Sequence, residues 1–296
     1  MTALPLALAA AAALAASPAG KPFGLLLLVD GVGPEWIETI DAVVKQAGGR
    51  YPVEFVAGEA DGPAIQRAVD ALQAKRVLKI VAVALSVSPF SDIMNQNRFL
   101  LGIREKPSMG MPATRLTSKV ALVLSKTLDG QDALVEVVAD RARALSKQPA
   151  ADAVVLVAAA PKAIDAARDW TASLDALAEK ARARAGFRKG RALTLPLDQT
   201  SDQRDKTEKA VRETIKALHK EGGNVVVLPL ELSPDYVASR LPHILEGLFA
   251  RYNGKCLLPD RRIARWVGES AADAAKLPDM RVFKDVPKGV KHASTR

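Results

Sequence analysis

The groups that could do chemistry in this sequence are carboxylates. Asp30, Glu59, Asp61 and Asp92 each follow a short apolar run. Acidic oxygens gathered from several segments can ligate a hard cation or accept a proton. The three histidines, His219, His243 and His292, show no metal-ligand spacing and read as surface or helix-cap residues. Cys256 is the single cysteine, so no intramolecular disulfide or cysteine cluster can form, and it reads as a buried thiol. Met94, Met109 and Met111 could form a thioether site for soft copper, but they read more simply as filler in a helix and a loop. Gly31-Val32-Gly33 lacks the third glycine of a dinucleotide fingerprint and reads as a strand-to-helix turn. The sequence contains no phosphate-loop, zinc-protease or nucleophile-elbow motif.

The elements that must position these groups alternate. Apolar runs at Leu25–Val29, Val53–Ala57, Leu78–Val87 and Val120–Leu124 predict strands. Helical spacing predicts helices from Pro34 to Gly48, from Pro63, over Asp92–Leu101 and over Asp132–Leu145. The pattern then restarts, with strands at Ala153–Val157, Arg191–Leu197 and Val225–Leu232. Helices are expected over Ala163–Ala185, Asp202–Lys220, Tyr236–Gly247 and Arg262–Ala275. Such alternation implies right-handed crossovers and parallel sheets covered on both faces. Ser88-Pro89 precedes Leu101-Gly102 by the same interval that separates Ser233-Pro234 from Glu246-Gly247, so the halves read as copies.

Ligands of open parallel sheets bind beyond the carboxyl ends of the strands. In the first half those ends carry Asp30, Glu59, Asp61 and Ser88 to Asp92. In the second half they are Ala158 to Pro161, Asp198 and Ser233 to Tyr236, with far fewer reactive groups.

Leu4–Ala16 is an apolar run followed by small residues, the pattern of a secretory signal cleaved near Ala16 or Ala19, although no Lys or Arg precedes it. This predicts a periplasmic or secreted protein. No later stretch approaches the length of a membrane span. The net charge of +9 suits an acidic partner. Aromatic residues make up only 4%, which argues against stacking platforms for single-stranded nucleic acid, and no nucleic-acid signature accompanies the charge.

A family resemblance joins these pieces. Leu25–Gly31, Pro34-Glu35-Trp36, Tyr51-Pro52-Val53-Glu54 and Val81–Asp92 resemble the first half of a sirohydrochlorin cobalt chelatase. Asp140 to Ser146, Pro149 and Val154 to Ala158 resemble the joint in its two-domain forms. Leu228-Pro229-Leu230, Glu246-Gly247-Leu248 and Leu257-Leu258-Pro259 with Trp266 resemble the end. The resemblance implies an α/β fold of two tandem chelatase-like domains, each a small parallel sheet with helices on both faces. The expected division is a signal over 1–20, domains over 21–148 and 149–278, and a basic tail over 279–296.

Members of the family insert a divalent metal into a tetrapyrrole, using histidines at two strand ends. Here those positions are Asp30, before Gly31, and Phe90 or its neighbour; in the second half the His-Gly pair becomes Ala159-Ala160. The resemblance therefore implies a binder of a tetrapyrrole, a divalent metal, or both, in a cleft between domains, with metal insertion lost or altered. Its expected tetrapyrrole contacts are Gly31, Ser88, Phe90, Ser91, Arg98 and Arg104, with Lys106 and Arg115 as further basic contacts. One alternative is an active chelatase handling cobalt, nickel or iron as substrate, with Asp30 catalytic and Asp30, Glu59 and Asp92 as metal ligands. Another is a non-catalytic scaffold or partner-binding protein.

Overall fold

Six consecutive buried residues, Gly24–Val29, form the central strand β1 of the first sheet. With no polar position along it, the run is stable only where both faces are covered. The computed structural model describes residues 23–29, 33–58, 60–108, 114–197 and 200–284. β1 pairs in parallel with β2 (Val53–Ala57) and β3 (Lys79–Leu85), and β4 (Ala121–Leu124) adds beside β3. The second sheet repeats this plan. β5 (Ala153–Ala160) lies between β6 (Lys189–Pro196) and β7 (Val225–Pro229), and the short β8 (Ala250–Arg251) joins β7. The strand orders are β2-β1-β3-β4 and β6-β5-β7-β8. Two four-stranded parallel sheets of equal order establish the expected α/β class and repeat one plan in both halves.

The helices fall where start and stop signals place them. α1 (Pro34–Ala47) opens with proline and ends at Gly48, whose φ is +54°. In α2 (Gly62–Ala74) the Asp61 side chain accepts from the Ala64 N–H, and in α3 (Asp92–Leu100) Ser91 accepts from the Met94 N–H. α4 spans Asp132–Leu145, α5 spans Ile164–Ala185, α6 spans Ser201–Lys220 and α7 spans Tyr236–Leu245. The duplication reaches the backbone: Gly102 and Gly247, at equivalent places after α3 and α7, have φ of +72° and +71°.

The chain returns to its first half at the end. α8 (Arg261–Ala274) packs on α1, α4 and β3, and one apolar core contains residues of both sheets. Lys79 Nζ donates to the Ala275 carbonyl at 2.7 Å. Of the expected basic tail, Asp279–Lys284 are described. The Met280 N–H bonds to the Leu122 carbonyl, and the Val282 and Phe283 N–H groups bond to the Gly102 carbonyl, so this segment lies along edge strand β4. Two strands are shorter than their apolar runs: β3 stops at Leu85 and β7 at Pro229. β8 was not expected, because two residues carry no periodic signal. The proposed signal, residues 1–20, lies outside the described residues.

Candidate functional site

The carboxyl ends of β3, β5 and β7 open onto a cavity of about 480 Å³ walled by both halves. Its size lies within the range of small-molecule sites. The first half contributes Ser86 to Ser88 and Ser91 to Ile93. The second contributes Ala158 to Lys162, Trp170, Leu197 and Leu230 to Asp235. Two contacts across the halves brace it. The Trp36 indole N–H donates to Ser233 Oγ at 2.8 Å, and the Phe90 and Trp170 rings lie 6.4 Å apart at 56°. Trp170 is itself fixed, its Nε1 donating to the Ala159 carbonyl at 3.1 Å.

On the first-half wall, hydroxyls hold the turn. Ser86 Oγ donates to the Ser88 carbonyl at 3.1 Å, and Ser88 Oγ accepts from the Phe90 N–H at 3.2 Å. Ser88, Ser91 and Asp92 all line the cavity. Phe90 stands behind it, against Trp170. Arg98 and Arg104 are not among the lining residues. The Arg98 guanidinium turns back to the Pro89 carbonyl at 2.6 Å and Asn95 Oδ1 at 3.2 Å. Burial, then the charge of Arg104, lowers its pKa. Arg98 thus buttresses the turn that carries Ser88 to Ser91. Arg115 lies over the Phe99 ring at 4.5 Å and donates to the Arg104 carbonyl at 3.3 Å, while Lys106 is exposed. Asp30, Gly31, Glu59, Met109, Met111, Asp198 and His292 lie outside the described residues. Among the described residues, no group of three His, Cys, Asp or Glu side chains is placed to hold a metal.

The second-half wall is richer than its strand ends suggested. Because β7 stops at Pro229, Glu231 sits on the turn after the strand and lines the cavity with Asp235 and Lys162. Its carboxylate accepts the Val237 N–H at 2.7 Å, the Ala238 N–H at 2.9 Å and the Asp235 N–H at 3.4 Å, capping α7. Burial nevertheless raises the Glu231 pKa above the usual glutamate value, against these hydrogen bonds. A carboxyl so tuned holds its proton to higher pH than a free glutamate does. The signal in the sequence was Pro229, which removes a backbone donor from the run. Cys256 is buried, and burial pushes its thiol up to about 12, with the Glu231 charge adding to the effect.

The two parallel sheets of equal order share their fold with solved chelatase structures. One structure the chain resembles is SirB from Bacillus subtilis with Fe3+, at TM-score 0.61 and 13% identity over 86% of this chain and 96% of that one. A second is the sirohydrochlorin chelatase SirB from Bacillus subtilis subspecies spizizenii in complex with cobalt, at TM-score 0.57 and 11% identity over 89% and 99% of the two chains. DR2241 from Deinococcus radiodurans, a multi-domain protein with structural similarity to chelatases, gives TM-score 0.55 and 16% identity, with 85% of this chain matched to 55% of that one. No family model matches the sequence, and no curated protein matches it. The fold is therefore chelatase-like, with sequence far diverged from the solved examples.

Proposed function

We propose that this protein binds a tetrapyrrole of the sirohydrochlorin type in the cavity between its halves, with metal insertion lost or altered. The observation that carries the reading is the cavity of about 480 Å³ at the carboxyl ends of β3, β5 and β7, in a chelatase-like fold. Its charged lining consists of Asp92, Glu231, Asp235 and Lys162. Carboxylates accept hydrogen bonds from pyrrole N–H groups, so the ring nitrogens face these acids. The macrocycle's own carboxylates then point out through the mouth, where the net charge of +9 favours them. Trp170, 2% exposed, backs the second-half wall and keeps its shape.

A divalent metal enters this reading as the macrocycle's cargo. Asp92 lines the cavity and can meet it, and Asp30 and Glu59 remain its proposed companions. Export through residues 1–20 would place the binding in the periplasm or outside the cell. Titration with sirohydrochlorin, followed by absorbance, tests the proposal. A saturable spectral shift with micromolar affinity is expected. An unchanged spectrum and no co-elution of the pigment would reject it. Insertion assays with cobalt, nickel and iron, compared between wild type and Asp30→Ala, then show whether activity survives.

A further inference from the structure

A much smaller hollow adjoins the main cavity in the first half. It measures about 10 Å³, and Ser86 and Ile93 wall both spaces. Its remaining lining includes Val29 and Gly58 at the ends of β1 and β2, and Asn97 on α3. Asn97 is 4% exposed, and its Oδ1 is buried with no hydrogen-bond partner among the described residues. An orphan amide oxygen costs about 1–3 kcal/mol, and folded interiors seldom leave one. Buried Ala60, which also lines the hollow, is held at φ +42°, a left-handed conformation that packing must enforce.

We infer that the hollow binds one hydrogen-bond donor of water size, shared by Asn97 Oδ1 and the Ser86 hydroxyl oxygen. A space of about 10–15 Å³ takes one water. Ser86 Oγ spends its proton on the Ser88 carbonyl and keeps lone pairs for a donor. The donor is either solvent water or an N–H or O–H of a molecule bound in the main cavity. The first source is independent of the proposed tetrapyrrole function; the second rests on it.

A high-resolution crystal structure of the unliganded protein is expected to show an ordered water about 3 Å from Asn97 Oδ1, and none in Asn97→Leu. An empty hollow in the wild type overturns the site. Ser86→Ala, a milder variant, is expected to lose or displace the water; an unshifted water overturns the sharing by Ser86. Sirohydrochlorin titration separates the sources. An affinity loss of about tenfold or more in Asn97→Leu assigns the donor to the ligand, and equal affinity assigns it to water. Should sirohydrochlorin not bind the wild type at all, the proposed function fails while the crystallographic result still decides the site.

Discussion

The indole N–H of Trp36 and the hydroxyl of Ser233, 197 residues apart, form a 2.8 Å hydrogen bond that joins the two halves at the cavity wall. Trp36 is 2% exposed, so its donor has no ready access to water. Ser233→Ala should therefore cost about 1–3 kcal/mol, the usual penalty for leaving a buried donor unpaired. Because one core runs through both halves, unfolding in urea should remain a single transition with a lower midpoint. An unchanged midpoint would show that the bond contributes nothing, and two separate transitions would show that the halves fold independently.

The paired glycines after α3 and α7 give a differential test of the C-terminal segment. Gly102 and Gly247 have nearly the same φ, but a Cβ on Gly102 would lie 2.5 Å from the Phe283 carbonyl oxygen, whereas one on Gly247 meets nothing within 4 Å. Gly247→Ala should cost only the left-handed conformation, about 1 kcal/mol. Gly102→Ala must also push away the segment that covers β4, and should cost about 2–3 kcal/mol. Ending the chain after Pro278 should make the two substitutions equal in thermal unfolding. Equal costs in the full chain would mean that Phe283 does not rest on Gly102.

How much of this was legible in the sequence depends on range. The buried strands announce themselves: Leu25–Val29 and Ala153–Val157 have no polar residue, and Ser88-Pro89 and Ser233-Pro234 mark equivalent turns. The side of the cavity carrying Ser88 and Ser91 followed from those turns. What was not legible depends on contacts distant in sequence. Nothing local says that Arg98 turns back to Pro89, or that α8 leaves the second sheet to pack on the first. Glu231 was hidden because an apolar run predicts where a strand can extend, while pairing decides where it stops: β7 leaves the ladder at Pro229.

Asp152 predicts an acid-sensitive joint between the halves. It is 1% exposed; burial alone would raise its pKa, but hydrogen bonds from Ser146 Oγ at 2.6 Å and the Asn224 N–H at 2.7 Å outweigh burial and lower it. A carboxylate with a depressed native pKa contributes stability above its unfolded value of about 3.9, and that stability disappears as pH falls through the native value. Asp152→Asn should lose about 2 kcal/mol at pH 7. Its deficit should shrink below about pH 4. A deficit independent of pH in guanidinium unfolding would contradict the assignment.

Glu231 should act in the opposite sense. Its native pKa is raised by burial, so the folded state holds its proton to higher pH than the unfolded chain does. Stability from this group is present below the unfolded value of about 4.3 and is lost as pH rises through the native one. Glu231→Gln cannot titrate, so the variant's stability curve should lack that decline, whatever constant offset the changed cap of α7 adds. Parallel wild-type and variant curves between pH 4 and 7 would show that the carboxyl does not titrate in that range.

The thiol of Cys256 should be inert in the native protein. It is 3% exposed and its pKa is pushed up to about 12, so very little thiolate exists at pH 8. Reaction with a thiol-specific disulfide reagent should await unfolding and accelerate in denaturant. Rapid labelling in buffer would mean that the segment around Leu257 and Leu258 opens readily.

The cavity itself can be closed from the second half. Ala159 lines it next to the Trp170 anchor, whose indole N–H bonds to the Ala159 backbone carbonyl, so a larger side chain there leaves that hydrogen bond available. The position is half-buried, partly packed on the second-half core, so a ring there must turn into the open space. Ala159→Phe should cost no more than about 1–3 kcal/mol of stability and weaken sirohydrochlorin binding by about tenfold or more, since filling a site removes the contacts it offers. Ile164→Ala, at an exposed position outside the cavity lining, should leave affinity unchanged. Full affinity in a folded Ala159→Phe protein would place any bound macrocycle elsewhere and separate the fold's likeness to chelatases from use of this cavity.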